Sequence, residues 1–235
     1  MLRNKTKGFI VTIDGPSGAG KSTVSQKLAS TLKGHLLDTG AMYRSVAYFA
    51  LQQGKKNPND IAKIARTLKF SVDAKTNTLL VNGKKLGTRI RTERVSQMAS
   101  LVSKHPGVRS TLTQLQRRVG HNVGKSLPTI VEGRDIGTVV FPGAPFKFFV
   151  TADPEVRAKR RFLQLKKQGI ANLTFKEVLT QNENRDRQDS MRKLAPLKCP
   201  EDAVVVDTTS MRISQVVRFM KDHIYGKLNL PKTFR

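Results

Sequence analysis

Residues 15–22 read Gly15-Pro16-Ser17-Gly18-Ala19-Gly20-Lys21-Ser22, followed by Thr23. This is the pattern G-x-x-x-x-G-K-[ST]. In it, consecutive backbone N–H groups wrap an anion, glycines let the backbone come close, and the lysine reaches terminal phosphates. Ser22 stands where a hydroxyl would meet Mg2+. Just upstream, Phe9-Ile10-Val11-Thr12-Ile13 is an apolar, β-rich run. Downstream, Val24, Leu28, Ala29 and Leu32 recur at helical spacing, which predicts a helix starting near Ser22 with its N-terminus towards the phosphate.

Four more short apolar runs read as strands: His35-Leu36-Leu37, Thr129-Ile130-Val131, Phe146-Lys147-Phe148-Phe149-Val150 and Ala203-Val204-Val205-Val206. Near-continuous apolar strands separated by helix-length segments predict an α/β fold with a five-stranded parallel sheet covered on both faces. The first three strands run into Asp14-Gly15, Asp38-Thr39-Gly40 and Glu132-Gly133-Arg134-Asp135. Ligands of open α/β sheets bind at these carboxyl ends. Residues 60–120 break the βα rhythm. They predict a hairpin, with strands at 69–73 and 79–83, then helices at about 93–104 and 107–119. This stretch is expected to be an insertion that closes over a substrate. The Arg- and Lys-dense stretch 155–198 is expected to be a second mobile segment.

The chain has 235 residues, with 43 Lys+Arg against 17 Asp+Glu and a formal charge of +26. A phosphate site uses only a handful of cations, so the excess points to polyanions in general or to a basic, solvated surface. No recognised RNA- or DNA-binding motif appears, which makes nucleic acid the weaker reading. Cys199 is the single cysteine, so no intrachain disulfide forms, which suits a cytoplasmic protein. The start, residues 1–7, is basic, but the apolar run after it ends at Asp14, too short for a secretory core. No stretch is long enough to span a membrane. His35, His105, His121 and His223 lack metal-ligand spacing, and no G-x-S-x-G element is present.

Thr39 is read as the cap of the helix after the second strand, and Arg44 as a free cation in its first turns. Three charges around Gly133 (Glu132, Arg134, Asp135) are costly at a strand end unless they serve a ligand or metal. Spacing of four and three puts Arg185, Asp189 and Arg192 on one helical face. By physics alone, Ser100 and Arg109 are unremarkable helix residues.

Taken together, these segments resemble the bacterial-type cytidylate kinases. The matching text is residues 13–23, 37–44 and 132–142, with Arg157-Ala158-Lys159-Arg160-Arg161, Arg185-Asp186…Asp189…Arg192…Ala195-Pro196-Leu197 and Asp202-Ala203…Asp207-Thr208-Thr209. The order and spacing hold from about residue 8 to 225. The resemblance implies a three-layer P-loop fold in a single domain, with a nucleoside-monophosphate-binding insertion at 60–120 and a lid at 155–198. It implies transfer of the γ-phosphoryl of ATP to CMP or dCMP, with Mg2+ as cofactor. By matching position, Gly15, Pro16, Ser17, Gly18, Ala19, Gly20, Lys21, Ser22 and Thr23 would bind ATP, with Ser22 or Thr23 on the metal. Thr39, Arg44, Ser100, Arg109, Arg134, Asp135, Arg185 and Asp189 would bind CMP. Lys21, Asp135, Arg134, Arg185 and Arg192 would carry the transfer, with Asp135 an orienter rather than a base. A monomer without membrane association is expected. Another P-loop kinase, acting on shikimate or a different nucleotide, and a basic RNA-binding protein on a kinase fold remain as other readings.

Overall fold

The strands of the main sheet are short and largely apolar, and the three at its centre are the most buried. The computed structural model describes residues 8–228, except residues 74, 168 and 170–172; the basic start at 1–7 lies outside the described residues. Five parallel strands, β1 (Ile10–Asp14), β2 (His35–Asp38), β6 (Thr129–Glu132), β7 (Phe146–Thr151) and β8 (Val204–Asp207), line up in the order β2-β6-β1-β7-β8. The phosphate-loop strand β1 is therefore central, flanked by β6 and β7.

Alternation along the strands builds two cores. Val11, Ile13, Ile130, Phe146, Phe148 and Val150 face α1 (Lys21–Thr31) and α8 (Ile213–Lys227), where Val24, Leu28, Val216 and Met220 meet them. Leu37 and Val131 face the opposite layer, with Met42 and Val46 of α2 (Thr39–Gln52) and Leu112 of α5 (Pro106–Val123). Each fully buried large side chain here contributes about 1.5–3 kcal/mol.

Between β2 and β6 lie α3 (Pro58–Thr67), the strands β3 (Phe70–Asp73), β4 (Thr78–Val81) and β5 (Lys84–Lys85), a 3-10 turn at Gly87–Ile90, and α4 (Glu93–Val102) ahead of α5. The expected hairpin forms as β3 and β4, with β5 added as a third antiparallel strand. Asn77 in its turn adopts φ 53 and reaches the edge of the main sheet: it accepts from Leu36 N at 3.2 Å and donates to Gly34 O at 3.0 Å. The two expected helices are α4, capped by the Thr92 hydroxyl on Val95 N, and α5, with Pro106 in its first turn. After β7 come α6 (Pro154–Lys167) and α7 (Phe175–Met191), the latter opened by a Thr174/Glu177 capping box.

Two local expectations are corrected. The cap of α2 is Asp38, whose carboxylate accepts from Ala41 N at 2.7 Å; Thr39 is already helical and donates to Glu132 O at 2.7 Å. Arg192 does not extend the helical face of Arg185 and Asp189. It is the C-cap of α7 with extended backbone (φ -66, ψ 138), because the chain turns there towards the site.

Candidate active site

Asp14 ends β1, and the chain turns at Gly15 (φ +143). A Cβ there would lie 1.9 Å from Val150 O on the neighbouring strand, so only glycine allows the loop to hug β7. The loop then climbs to α1, whose free N–H groups face the cleft. Lys21 is buried and donates to Pro16 O at 2.6 Å. Burial, and then the Arg134 guanidinium, push its ammonium well below the ordinary amine range, while Glu132 pulls it back up. An incoming phosphate would favour the charged form.

The carboxyl ends of β2 and β6 add two acids in register, Asp38 beside Glu132. Burial, and then Asp38, push the Glu132 carboxyl up to about 7, with Lys21 and the Ser22 hydroxyl acting against them. Asp38 pairs with Arg44 at 3.0 Å and Arg91 at 3.4 Å, so Arg44 is not the free cation expected. Its Nε is nevertheless buried with no partner.

Asp135 follows β6 and leads into a π-helical turn, Ile136–Val140. That turn is pinned by Asp14, which accepts from Ile136 N at 2.9 Å and Gly137 N at 2.7 Å. Burial pushes the Asp14 carboxyl up to about 6 against these two hydrogen bonds. Asp135 is itself buried and pairs with Arg109 and, at 3.4 Å, with Arg192. Arg109 also donates to Ser103 O at 3.1 Å and lies 5.7 Å over the Tyr43 ring. The chain of ion pairs continues: Arg192 to Asp189 at 3.6 Å, and Asp189 to Arg134 at 3.1 Å. Burial, and then Arg134, lower Arg185 to about 10, which leaves it charged at neutral pH. Among the described residues Arg185 makes no ion pair of its own.

These groups surround one cleft of about 770 Å3. Ser17, Gly18, Ala19, Gly20, Lys21, Ser22 and Thr23 line one side; Gly15 and Pro16 support the loop from behind. The other side brings together Thr39, Arg44, Ser100, Arg109, Arg134, Asp135, Arg185, Asp189 and Arg192. Asp38, Tyr43, Arg91, Arg160, Arg161 and Thr208 line it too, and were given no site role from sequence. Asp38 had a signal, the acid ending a strand before a helix. Arg160 had less: its guanidinium is fixed by Thr208 Oγ1 at 2.9 Å and Thr208 O at 2.6 Å, contacts across 48 positions of sequence.

No helix among the described residues is long and apolar enough to cross a membrane, and none of them form a cluster of three or more His, Cys, Asp or Glu placed to hold a metal. The arrangement suits two anionic ligands meeting end to end, one on the loop and one on the arginines.

The chain is 43% identical over 228 residues to a cytidylate kinase of Citrifermentans bemidjiense, covering 95% of this chain and 96% of that one. A cytidylate kinase of a Geobacter species (strain M21) is 42% identical over the same shares. A solved structure of an uncharacterized protein from Eubacterium ventriosum superposes with a TM-score of 0.50, over 92% of this chain and 98% of that one, at 12% identity; this is a likeness of fold. The family model for cytidylate kinase matches residues 11–225, and the chain belongs to the cytidylate kinase family.

Proposed function

We infer that this protein transfers the γ-phosphoryl group of ATP to CMP or dCMP, releasing ADP and CDP or dCDP. The observation that carries this reading is the pairing, in one cleft, of a phosphate loop with Arg44, Arg134 and Arg185 gathered opposite it. Half-buried cations crowded in this way are costly until an anion joins them. The relatives' shared name supplies the nucleoside.

The loop amides and Lys21 would hold the β- and γ-phosphates of ATP. Arg44, Arg134 and Arg185 would hold the CMP phosphate, and Arg192 would face the oxygens in transit. Thr39, Ser100, Arg109, Asp135 and Asp189 would orient the nucleotide. The acceptor phosphate is already ionised, so Asp135 is not required as a base, and its two arginine partners suit an orienting role. Closure of 60–120 and 155–198 over the pair would exclude water and suppress ATP hydrolysis.

Mg2+ fits the donor set at the start of α1: the Ser22 hydroxyl, with Glu132 beside it and Asp38 in register, are hard oxygen donors. Two carboxylates and a hydroxyl suit an ion that keeps waters and takes its remaining ligands from phosphates. When bound, it would neutralise charge on the terminal phosphates of ATP. A monomeric, cytoplasmic enzyme belongs to the same proposal.

An ADP-release assay with CMP, dCMP, UMP, AMP, GMP and shikimate as acceptors tests the reading. CMP and dCMP should be turned over well, with AMP, GMP and shikimate far behind. Equal or faster turnover of AMP would overturn the cytidine assignment.

A further inference from the structure

Arg157 and Asp186 form an ion pair behind the phosphate loop, outside every role given above. Arg157 lies on α6 and is buried; Asp186 lies on α7, immediately after Arg185 and one turn before Asp189. The pair grips one residue of the loop from both ends: Asp186 accepts from Ser17 N at 2.9 Å, and Arg157 donates to Ser17 O at 3.1 Å. Arg157 is fixed in turn by Ala152 O at the end of β7, 2.9 Å from its Nε. Gly18 packs directly on the same residue, since a Cβ there would lie 2.7 Å from Arg157 O.

The backbone polar groups of Ser17 are thus satisfied by protein, leaving the amides from Gly18 onward for a ligand. Asp186 ties α7 to the loop, while Asp189 on the same helix ties it to Arg134 after β6. One helix therefore spans the donor and acceptor sides of the cleft, and Arg185 immediately precedes the first of the two ties.

We propose that Arg157 and Asp186 are positioning residues: they hold the phosphate loop in its binding shape before ligand arrives and set Arg185 at a fixed distance from it. A loop already shaped for its ligand binds without an ordering cost, and a charge held in place stabilises the transition state more than a mobile one. The inference rests on the proposed reaction for its kinetic part only.

The test compares wild type with Asp186→Ala, Asp186→Asn and Arg157→Lys, using ATP kinetics at saturating CMP and calorimetric titration of ADP without acceptor. Asp186→Ala should lose tenfold or more in kcat and several-fold in ADP affinity, with the KM for CMP within twofold. Asp186→Asn keeps an acceptor for Ser17 N and should recover part of the loss. Arg157→Lys keeps the charge but not the fork and should resemble Asp186→Ala. Folded variants whose kcat and ADP affinity stay within twofold of wild type, even with lowered melting temperatures, would overturn the proposal. If Asp186→Ala does not fold, the same limits apply to Asp186→Asn and Arg157→Lys. A wild type that releases no ADP with CMP would defeat the proposed reaction, while the ADP titration would still judge the clamp.

Discussion

Arg134 at the end of β6 and Asp189 in the last turn of α7 meet at 3.1 Å, Nε to Oδ2, across 55 positions of sequence. The contact aims Arg134 into the cleft and leaves Asp189 its other oxygen for Arg192. Asp189→Ala would leave a partly buried guanidinium without its fixed partner, a loss of about 1–3 kcal/mol. The expected result is a fall of about 5- to 100-fold in kcat/KM for CMP, with the KM for ATP within twofold. Steady-state kinetics with each substrate varied in turn measures both. An equal rise in both KM values would mean that Asp189 supports the whole cleft rather than its acceptor side.

Lys21 donates to Pro16 O, with its charge disfavoured by burial. A terminal phosphate offers it a better partner, so its contribution should be concentrated on the ATP side and on the transferring group. Lys21→Ala should cost about 10²–10³ in kcat, the scale for removing one transition-state donor. CMP affinity by calorimetry should move less than twofold. A variant with more than a third of the wild-type rate would remove Lys21 from the mechanism.

The strands with two buried faces were readable because burial on both sides forces an apolar run, as in β1, β6 and β7. β5 was not: Lys84-Lys85 carries no apolar residue and exists by pairing with Leu80 and Val81. The π-helical turn after Asp135 depends on a carboxylate 122 positions away, which no local pattern contains. Asp38 and Thr39 are both good caps in adjacent positions, and it is a tertiary hydrogen bond from Thr39 to Glu132 that decides between them. Arg109 read as an ordinary helix residue on physical grounds, and family resemblance alone pointed to it; the fold explains why, by burying it against Asp135. Arg157 and Asp186 stood in stretches that match the family but carried no role of their own, since burial is a property of the assembled layers.

Asp14 makes stability depend on pH. Its folded carboxyl sits at about 6 against an ordinary 3.8, so the folded state holds the proton more tightly than the unfolded chain. The stabilisation associated with that proton is complete below pH 3.8 and is lost as the pH rises to about 6. A shift of this size corresponds to roughly 3 kcal/mol. Asp14→Asn cannot ionise and so lacks the slope, although its amide nitrogen cannot accept and one of the two backbone hydrogen bonds is lost. Urea unfolding at pH 4 and pH 7.5 should find wild type losing stability at the higher pH while the variant, whatever its starting stability, changes much less. Parallel pH profiles for the two proteins would show that Asp14 keeps an ordinary proton affinity in the fold.

The loop's seat against β7 rests on one missing methyl group. Gly15 combines φ +143 with a would-be Cβ 1.9 Å from the backbone oxygen of Val150, which is held in the sheet and cannot yield as a flexible side chain would. Gly143 makes the matched control, since its φ is not in the left-handed region and a Cβ there meets nothing within 4 Å. Gly15→Ala should destabilise by about 2–4 kcal/mol through strain and displacement of the loop, and should abolish ADP binding. Gly143→Ala should stay within about 0.5 kcal/mol of wild type. Denaturant midpoints for the pair separate a local steric requirement from a general intolerance of substitution. Similar midpoints would mean that the loop can leave β7 without cost, and the contact could no longer be what shapes the phosphate cradle.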